Sequence, residues 1–138
     1  MVNPNVVATR LAKLREYVGY LKILRKHSFK EFAADPFIRG NVERYLQLSI
    51  ECCLDLGNHL ISDRGLRRAE DYKEIFLILG ESGFIPKPFS RKIAPMGGFR
   101  NILVHDYLKV DPRKVYGALQ GHLTDIERFA RLIAKTLR

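Results

Sequence analysis

Residues 35–62 read DPFIRGNVERYLQLSIECCLDLGNHLIS, and this stretch decides the fold. Asp35 can cap a helix, and Pro36 suits the first helical position because the N–H that it lacks would have no partner there. Apolar side chains then recur every three or four residues, which places them on one face of an α-helix. The stretch predicts a helix from Pro36 to about Ser62 with the stripe Val42, Leu46, Ser49, Cys53, Leu56 and Leu60.

Helical spacing extends over most of the chain. Pro95 and Gly97-Gly98 are expected to bend the helix in which they lie, and Asp111-Pro112 is expected to start the last helix. Because no window alternates apolar and polar residues over the length of a strand, the sequence predicts an all-α, up-down helical bundle. We expect four long helices plus one or two short ones, in one domain over residues 1–138. The predicted helical segments are 7–21, 29–34, 36–62, 71–79, one that begins at about 90, and one that begins at 112.

Composition excludes several classes of protein. The chain is 46% apolar and 28% charged, so disorder throughout is excluded. No apolar run reaches the roughly 18 residues of a membrane span, and the N-terminus lacks the apolar core of a secretory signal. The adjacent Cys52 and Cys53 do not form a disulfide framework, and neither Cys nor His follows a zinc-binding spacing. We therefore expect a reduced, cytoplasmic protein without a membrane segment, a metal or a cofactor.

Positive charge is concentrated at the two ends of the chain. The net charge is +9, yet residues 1–30 hold seven Lys and Arg against one acidic residue, and residues 109–138 hold seven against three. Such a field attracts a polyanion such as RNA or DNA through counterion release. It can equally attract an acidic protein, or serve solubility alone.

The helix over 36–62 also has a polar face. Arg44, Gln47, Glu51, Asp55 and Asn58 follow one another at helical spacing, on the side away from the apolar stripe. One interpretation is a solvated face with ion pairs inside the helix. The other is the polar wall of a cleft or of a dimer seam, for which Arg44, Glu51 and Asp55 are the candidates.

Residues 97–112, GGFRNILVHDYLKVDP, carry the chemistry-bearing side chains. Asn101 and His105 are four residues apart and share a helix face. Arg100 and His105 are five apart, or about 140° around a helix. These two converge on one group only if the helix bends or frays, if the arginine wraps around it, or if two copies of the chain face each other. Since Asp111 starts a new helix, this helix is expected to end close to Tyr107.

These residue types suit metal-free cleavage of RNA. Histidine can exchange a proton near neutral pH, and arginine is a permanent cation suited to a phosphate. A base can activate a ribose 2′-OH, which attacks the adjacent phosphate while a cation stabilises the pentacoordinate state. A histidine and an arginine on one helix are also common in purely structural roles. His27, His59 and His122 have no matching partners nearby, and the tyrosines outside this segment, Tyr72 among them, fit helical packing better than base stacking.

The string Arg100-Asn101-x-x-x-His105-x-Tyr107 resembles the Arg-x4-His-x-Tyr signature of HEPN-domain toxins of the HepT type. The likeness extends through GFRNILVHDYLKVDPRKVYGAL and to VERYLQLSIECCLDLGNHLIS, which is similar to the long central helix of that family. With the chain length and the helical pattern, it covers nearly the whole chain, as a single HEPN domain over 1–138.

The resemblance implies a toxin of a type VII toxin–antitoxin system that acts as a metal-independent RNA endonuclease without a cofactor. It implies a homodimer whose motif helices meet in one cleft, with Arg100 and His105 catalytic and Asn101 supporting them. The implied partner is an MntA-type nucleotidyltransferase antitoxin, which neutralises the toxin by transferring AMP to Tyr107. An AMP ester would add bulk and negative charge where an RNA phosphate should bind.

Two other interpretations remain open at this point. The chain could be a non-catalytic HEPN dimer that binds a nucleotidyltransferase and is modified by it. It could also be a plain helical dimer whose charge only aids solubility. An intact pair of Arg100 and His105 favours the ribonuclease, since a pure binding module would not need both.

Overall fold

The structure, a computed structural model, describes residues 3–136 apart from the side chain of Tyr107. Over this range the chain forms helices and no strand, and none of the helices is long and apolar enough to cross a membrane. A 3-10 turn, Tyr107–Lys109, lies between the sixth and seventh helices. The helices are α1 Pro4–Leu24, α2 Phe29–Ala34, α3 Pro36–Asp63, α4 Tyr72–Glu81, α5 Lys87–Ile93, α6 Pro95–His105, α7 Pro112–Gly121 and α8 Leu123–Thr136.

Local capping explains where several helices begin. The Asp35 carboxylate accepts a hydrogen bond of 2.8 Å from the backbone N–H of Phe37, and Pro36 occupies the first position of α3. Asp111 accepts the N–H of Arg113 at 2.9 Å in the same way at the start of α7. Each cap satisfies an N–H that the helix leaves without a partner. Both predicted helix starts are confirmed.

Helix α3 is the centre of the bundle. It packs against α1, α2, α4, α6, α7 and α8. Burial of a leucine side chain stabilises the fold by about 1.5–3 kcal/mol, so a helix buried by its neighbours along its length supplies much of the core. The prediction of an all-α helical bundle is confirmed. Ile50 is buried, and so is every residue of the predicted apolar stripe: Val42, Leu46, Ser49, Cys53, Leu56 and Leu60.

The two thiols lie on α3 and face the interior. Both Cys52 and Cys53 are free and buried. Burial raises the pKa of the Cys52 thiol to about 11, because the apolar surroundings disfavour the thiolate. Desolvation raises the pKa of the fully buried Cys53 further still.

The chain turns at two points along the predicted later helices. Helices α5 and α6 are separate and meet at Ala94, directly before Pro95, where we expected a bend. The prediction of a single last helix from Pro112 is wrong in one respect, because the chain turns at His122 and forms two helices, α7 and α8. The N–H of His122 still donates to Ala118, and its carbonyl still accepts from Ile126. The turn therefore keeps the backbone hydrogen bonds while α7 packs on α2 and α8 packs on α1.

Gly97 allows α6 to approach the start of α4 closely. A Cβ at this position would lie 2.6 Å from the backbone N of Lys73 and 2.7 Å from the carbonyl carbon of Tyr72. Real Cβ atoms do not approach backbone atoms that closely, so any side chain would force the two helices apart. Gly98, the next residue, has nothing within 4 Å of the same position.

We expect Gly97→Ala to lower the free energy of unfolding by about 1–3 kcal/mol, because the added methyl group meets backbone that cannot yield locally. Gly98→Ala is the matched control and should be neutral or stabilise by up to about 1 kcal/mol, since alanine favours a helix interior. Urea denaturation followed by circular dichroism measures both values. Equal stabilities for the two variants would contradict the close approach.

Candidate active site

Helix α6 carries three of the four motif residues. It begins at Pro95 and ends at His105, and the N–H of Asp106 closes the last turn by donating to Ile102. The backbone of Tyr107 then starts the 3-10 turn, so the predicted helix end near Tyr107 is confirmed. The side chain of Tyr107, the candidate AMP acceptor, lies outside the described part of the structure.

The guanidinium of Arg100 turns inward and binds the carboxylate of Glu51 on α3. Arg100 Nε and Nη2 donate to the same oxygen, Glu51 Oε1, at 3.1 and 3.0 Å. Arg100 Nη1 also donates to Asn101 Oδ1 at 3.2 Å. The Arg100 side chain is 15% exposed and that of Glu51 is 31% exposed, so the ion pair is shielded from most of the solvent. Hydrogen bonds between charged groups in such surroundings are stronger than those between exposed groups.

Two further side chains complete the surroundings of this guanidinium. Its central carbon lies 4.9 Å from the centre of the Tyr72 ring, at the distance of a cation–π contact. Gln47 Nε2 donates to Glu51 Oε1 at 3.2 Å, which holds the carboxylate from the other side along α3. Tyr72 is the first residue of α4, so the close approach at Gly97 also brings the ring to Arg100.

The arginine keeps donor capacity for an anion. A guanidinium has five N–H groups, and three are engaged with Glu51 and Asn101 over the described residues. Two remain available to phosphate oxygens. The other three fix the orientation of the side chain in the absence of a ligand.

His105 occupies a different position on the same helix. It is exposed at the C-terminal end of α6, whereas Arg100 lies between α3 and α4. Within the described chain the structure gives no hydrogen bond or ion pair between these two side chains. The 140° separation expected from their spacing therefore persists in one copy of the chain.

The candidate cleft-wall residues on α3 lie in different surroundings. Glu51 contacts Arg100, whereas Asp55, one turn later, forms an ion pair of 3.0 Å with Arg10 of α1. Arg44 is exposed, two turns before Glu51. The structure thus brings one of the three candidates to the motif arginine.

Two open depressions flank α6 at this site. One of about 520 Å³ is lined by Gly98, Asn101 and Ile102 of α6 together with Tyr72. The other, of about 410 Å³, is lined by Asn101, Tyr72 and Asn58 of α3. Asn101 and Tyr72 therefore face accessible space on both sides. Among the residues that the structure describes, no group of three or more His, Cys, Asp or Glu side chains could hold a metal ion.

Tyr72 is the site residue that the sequence did not reveal. The helical pattern predicts it as a packing residue, and the structure adds its contact with Arg100. Of the sequence signals, only Gly97-Gly98, which we expected to bend the helix, lies at this junction. Nothing in the sequence identifies the residue that Gly97 would approach.

Comparison with known proteins identifies the family. The family model described as ribonuclease HepT-like matches residues 8–133. The chain belongs to this HepT-like ribonuclease family.

Relatives of known name and structure agree with this assignment. The chain is 28% identical over 132 residues to the tRNA nuclease HepT of Aphanizomenon flos-aquae, covering 96% of this chain and 90% of the relative. It is 32% identical over 103 residues to the mRNA nuclease HepT of Shewanella oneidensis, covering 75% and 77%. A solved structure of the tri-AMPylated Shewanella oneidensis HEPN toxin in complex with MNT antitoxin superposes with a TM-score of 0.87, at 26% identity, over 96% of this chain and 99% of that one.

Removal of Glu51 should destabilise the protein more than removal of Asp55. Glu51→Ala leaves the largely shielded Arg100 without its carboxylate, and we expect a loss of about 1–3 kcal/mol in the free energy of unfolding. Asp55→Ala breaks an ion pair whose side chains are 41% and 52% exposed, and such surface pairs contribute about 0–1 kcal/mol. Chemical denaturation of both variants at the same salt concentration provides the comparison. A larger loss for Asp55→Ala would contradict the anchoring of Arg100 by Glu51.

Proposed function

We propose that this chain is the toxin of a type VII toxin–antitoxin pair and acts as an RNA endonuclease through Arg100 and His105. The observation that carries the proposal is that the guanidinium of Arg100 is held in one orientation. It is fixed by Glu51, Asn101 and Tyr72, has two N–H groups left for a phosphate, and lies on the same helix as an exposed histidine. Membership of the HepT-like ribonuclease family supports the same reaction class.

The reaction follows from the chemistry of these two side chains. The His105 imidazole removes the proton of a ribose 2′-OH, and the 2′ oxygen attacks the adjacent phosphorus. The bond from phosphorus to the 5′ oxygen breaks, and that oxygen takes a proton from an imidazolium or from water. Arg100 donates to the non-bridging oxygens as negative charge builds up on them. The products are a 2′,3′-cyclic phosphate and a 5′-OH end, and DNA is excluded because it has no 2′-OH.

A homodimer would complete this site. Arg100 is held inward and His105 points to solvent, so one chain does not bring both to one phosphate directly. If two α6 helices faced each other, the histidine of one copy could act beside the arginine of the other. Ile102, 38% exposed on α6, and Leu108, 87% exposed just after it, supply apolar surface for such a seam.

The cations at the two chain ends support an RNA substrate. Helices α1 and α8 pack against each other, and the groove between them has a volume of about 660 Å³. Arg15 and Lys22 of α1 line it together with Arg131 and Lys135 of α8, and Lys22 pairs with Glu127 at 3.0 Å. The fold thus brings four cations from the two basic ends to one groove. Such a groove would raise the local concentration of RNA, in the cytoplasm where we expect the protein to act.

The proposed control is AMP transfer by an MntA-type nucleotidyltransferase antitoxin to Tyr107. The phenol oxygen attacks the α-phosphorus of ATP, a new phosphodiester forms, pyrophosphate leaves and the phenol proton passes to solvent. Tyr107 follows His105 by two residues in the sequence, so modification would attach a phosphate to the chain close to the catalytic histidine. A fixed negative charge there would repel the RNA phosphate.

Ribonuclease activity is tested with purified variants and a labelled RNA in EDTA. We expect cleavage by the native chain, and a fall in kcat on the order of 10²–10⁴ for His105→Ala and for Arg100→Ala. His27→Ala is the matched control, since this histidine precedes α2, lines neither depression at the motif and pairs with Glu31 at 3.3 Å, and it should cleave normally. Cleavage by His105→Ala at the native rate would refute the assignment. Activity that EDTA abolishes would refute the metal-independent mechanism.

Modification is tested by incubating the protein with the nucleotidyltransferase and ATP and measuring intact mass. The native chain should gain at least one AMP and lose RNA cleavage, whereas Tyr107→Phe should gain none and stay active. Tyr20→Phe, which alters a tyrosine that is 38% exposed on α1, is the control and should be modified normally. An undiminished mass gain in Tyr107→Phe would exclude Tyr107 as the acceptor.

A further inference from the structure

A separate cleft opens between α6 and α7, on a side of α6 that Arg100 does not use. Leu46 and Ile50 of α3 form its floor and are at most 2% exposed, while Met96 and Phe99 of α6 form one wall. Gly117 lies on the opposite wall, where the absence of a side chain leaves the cleft wide. Its volume is about 390 Å³, within the usual range for pockets that bind small molecules.

The rim of this cleft is basic. Lys92, Lys114 and His122 line it, and none of the described lining residues is acidic. The Lys92 ammonium is held at the rim by Asp125, whose side chain is 11% exposed, at 3.1 Å. His122 is the residue at which the predicted last helix divides, so the turn between α7 and α8 puts an imidazole at this rim. An apolar floor beneath several nitrogen donors suits a ligand with a flat apolar part and an anionic part.

The cleft is continuous with the candidate active site. Phe99 and Lys114 line it and also line the depression that Asn101 and Tyr72 share. Phe99 directly precedes Arg100, so their side chains leave α6 about 100° apart. A strand whose phosphate lies at Arg100 can therefore follow α6 past Phe99 and enter the cleft.

We propose that this cleft is a subsite for one unpaired nucleotide of the RNA, next to the bond that is cut. The base lies against Met96 and Phe99, since a base presents a flat face that stacks on aromatic and apolar side chains. Lys114 and His122 bind the phosphate attached to that nucleotide. The subsite rests on the proposed ribonuclease function, and it makes cleavage depend on an unpaired nucleotide beside the cut.

Filling the cleft provides the first test. Gly117→Leu adds a side chain at the wall of the cleft, where nothing lies within 4 Å of the new Cβ. Leucine also favours a helix interior over glycine. With a short single-stranded RNA we expect KM to rise about tenfold and kcat to change by less than about twofold, since ground-state binding is lost. Gly40→Leu is the matched control on α3, where the Cβ also meets nothing within 4 Å, and it should cleave normally.

Charge at the rim provides a second variant. Lys114→Glu should raise KM by about tenfold, because it replaces a cation at the proposed phosphate with a carboxylate. Lys30→Glu changes the net charge equally at an exposed position on α2 that does not line the cleft, so it separates local from overall charge. An effect of Lys30→Glu equal to that of Lys114→Glu would overturn the subsite.

A binding readout separates the subsite from the ribonuclease itself. The His105→Ala protein is irradiated with a short RNA that contains one 4-thiouridine, and the cross-linked peptides are mapped. We expect cross-links within residues 95–99 and 112–122, and their loss in the double variant with Gly117→Leu. If the native chain cleaves no RNA, the proposed function fails, whereas the cross-links still test the cleft. If RNA is cleaved but Gly117→Leu keeps the native KM, or cross-links map elsewhere, the subsite is wrong. If Gly117→Leu abolishes binding of a protein partner but leaves the KM for RNA unchanged, the cleft binds that protein and the nucleotide subsite is wrong.

Discussion

The guanidinium of Arg100 lies where α3, α4 and α6 meet, and its orientation depends on all three helices. Glu51 accepts two of its N–H groups at 3.1 and 3.0 Å, and the Tyr72 ring lies 4.9 Å away. Gly97 lets the backbone of α6 approach that of α4 closely enough for the Tyr72 ring to contact Arg100. A free arginine loses about 1.5–2 kcal/mol of side-chain entropy when it is fixed on a ligand. Here that entropy is lost during folding, so a phosphate meets a side chain already in place.

The helices could be predicted from the sequence because their signals are local. Asp35-Pro36 and Asp111-Pro112 each place a capping carboxylate and a proline within two residues, and α3 and α7 begin there. The division at His122 could not be predicted, because the apolar stripe continues through it from Leu119 to Leu123 and Ile126. All three of these residues are buried on either side of the turn. The turn lets α7 pack on α2 and α8 pack on α1, and both of these partners are distant in the sequence.

Part of the candidate site could likewise be predicted from the sequence, and part of it could not. Residue types and spacing within 100–107 point to a phosphate ligand and a proton carrier, and α6 presents Arg100 and His105 as that spacing predicts. The partner of Arg100 was present in the polar face of α3, yet spacing alone did not separate Glu51 from Asp55. Glu51 and Arg100 are separated by 49 positions in the chain. The pairing follows from how two helices pack, and Asp55 instead meets Arg10 because α1 covers the next turn.

Cys52 and Cys53 lie on the same helix as Glu51 and are the only cysteines of the chain. With the pKa of Cys52 raised to about 11, only on the order of one thiol in ten thousand is ionised at neutral pH. Oxidants and disulfides react with thiolates, so neither group offers a point of attack. Their burial therefore disfavours oxidation of these two cysteines and makes them poor sensors of the redox balance around the protein.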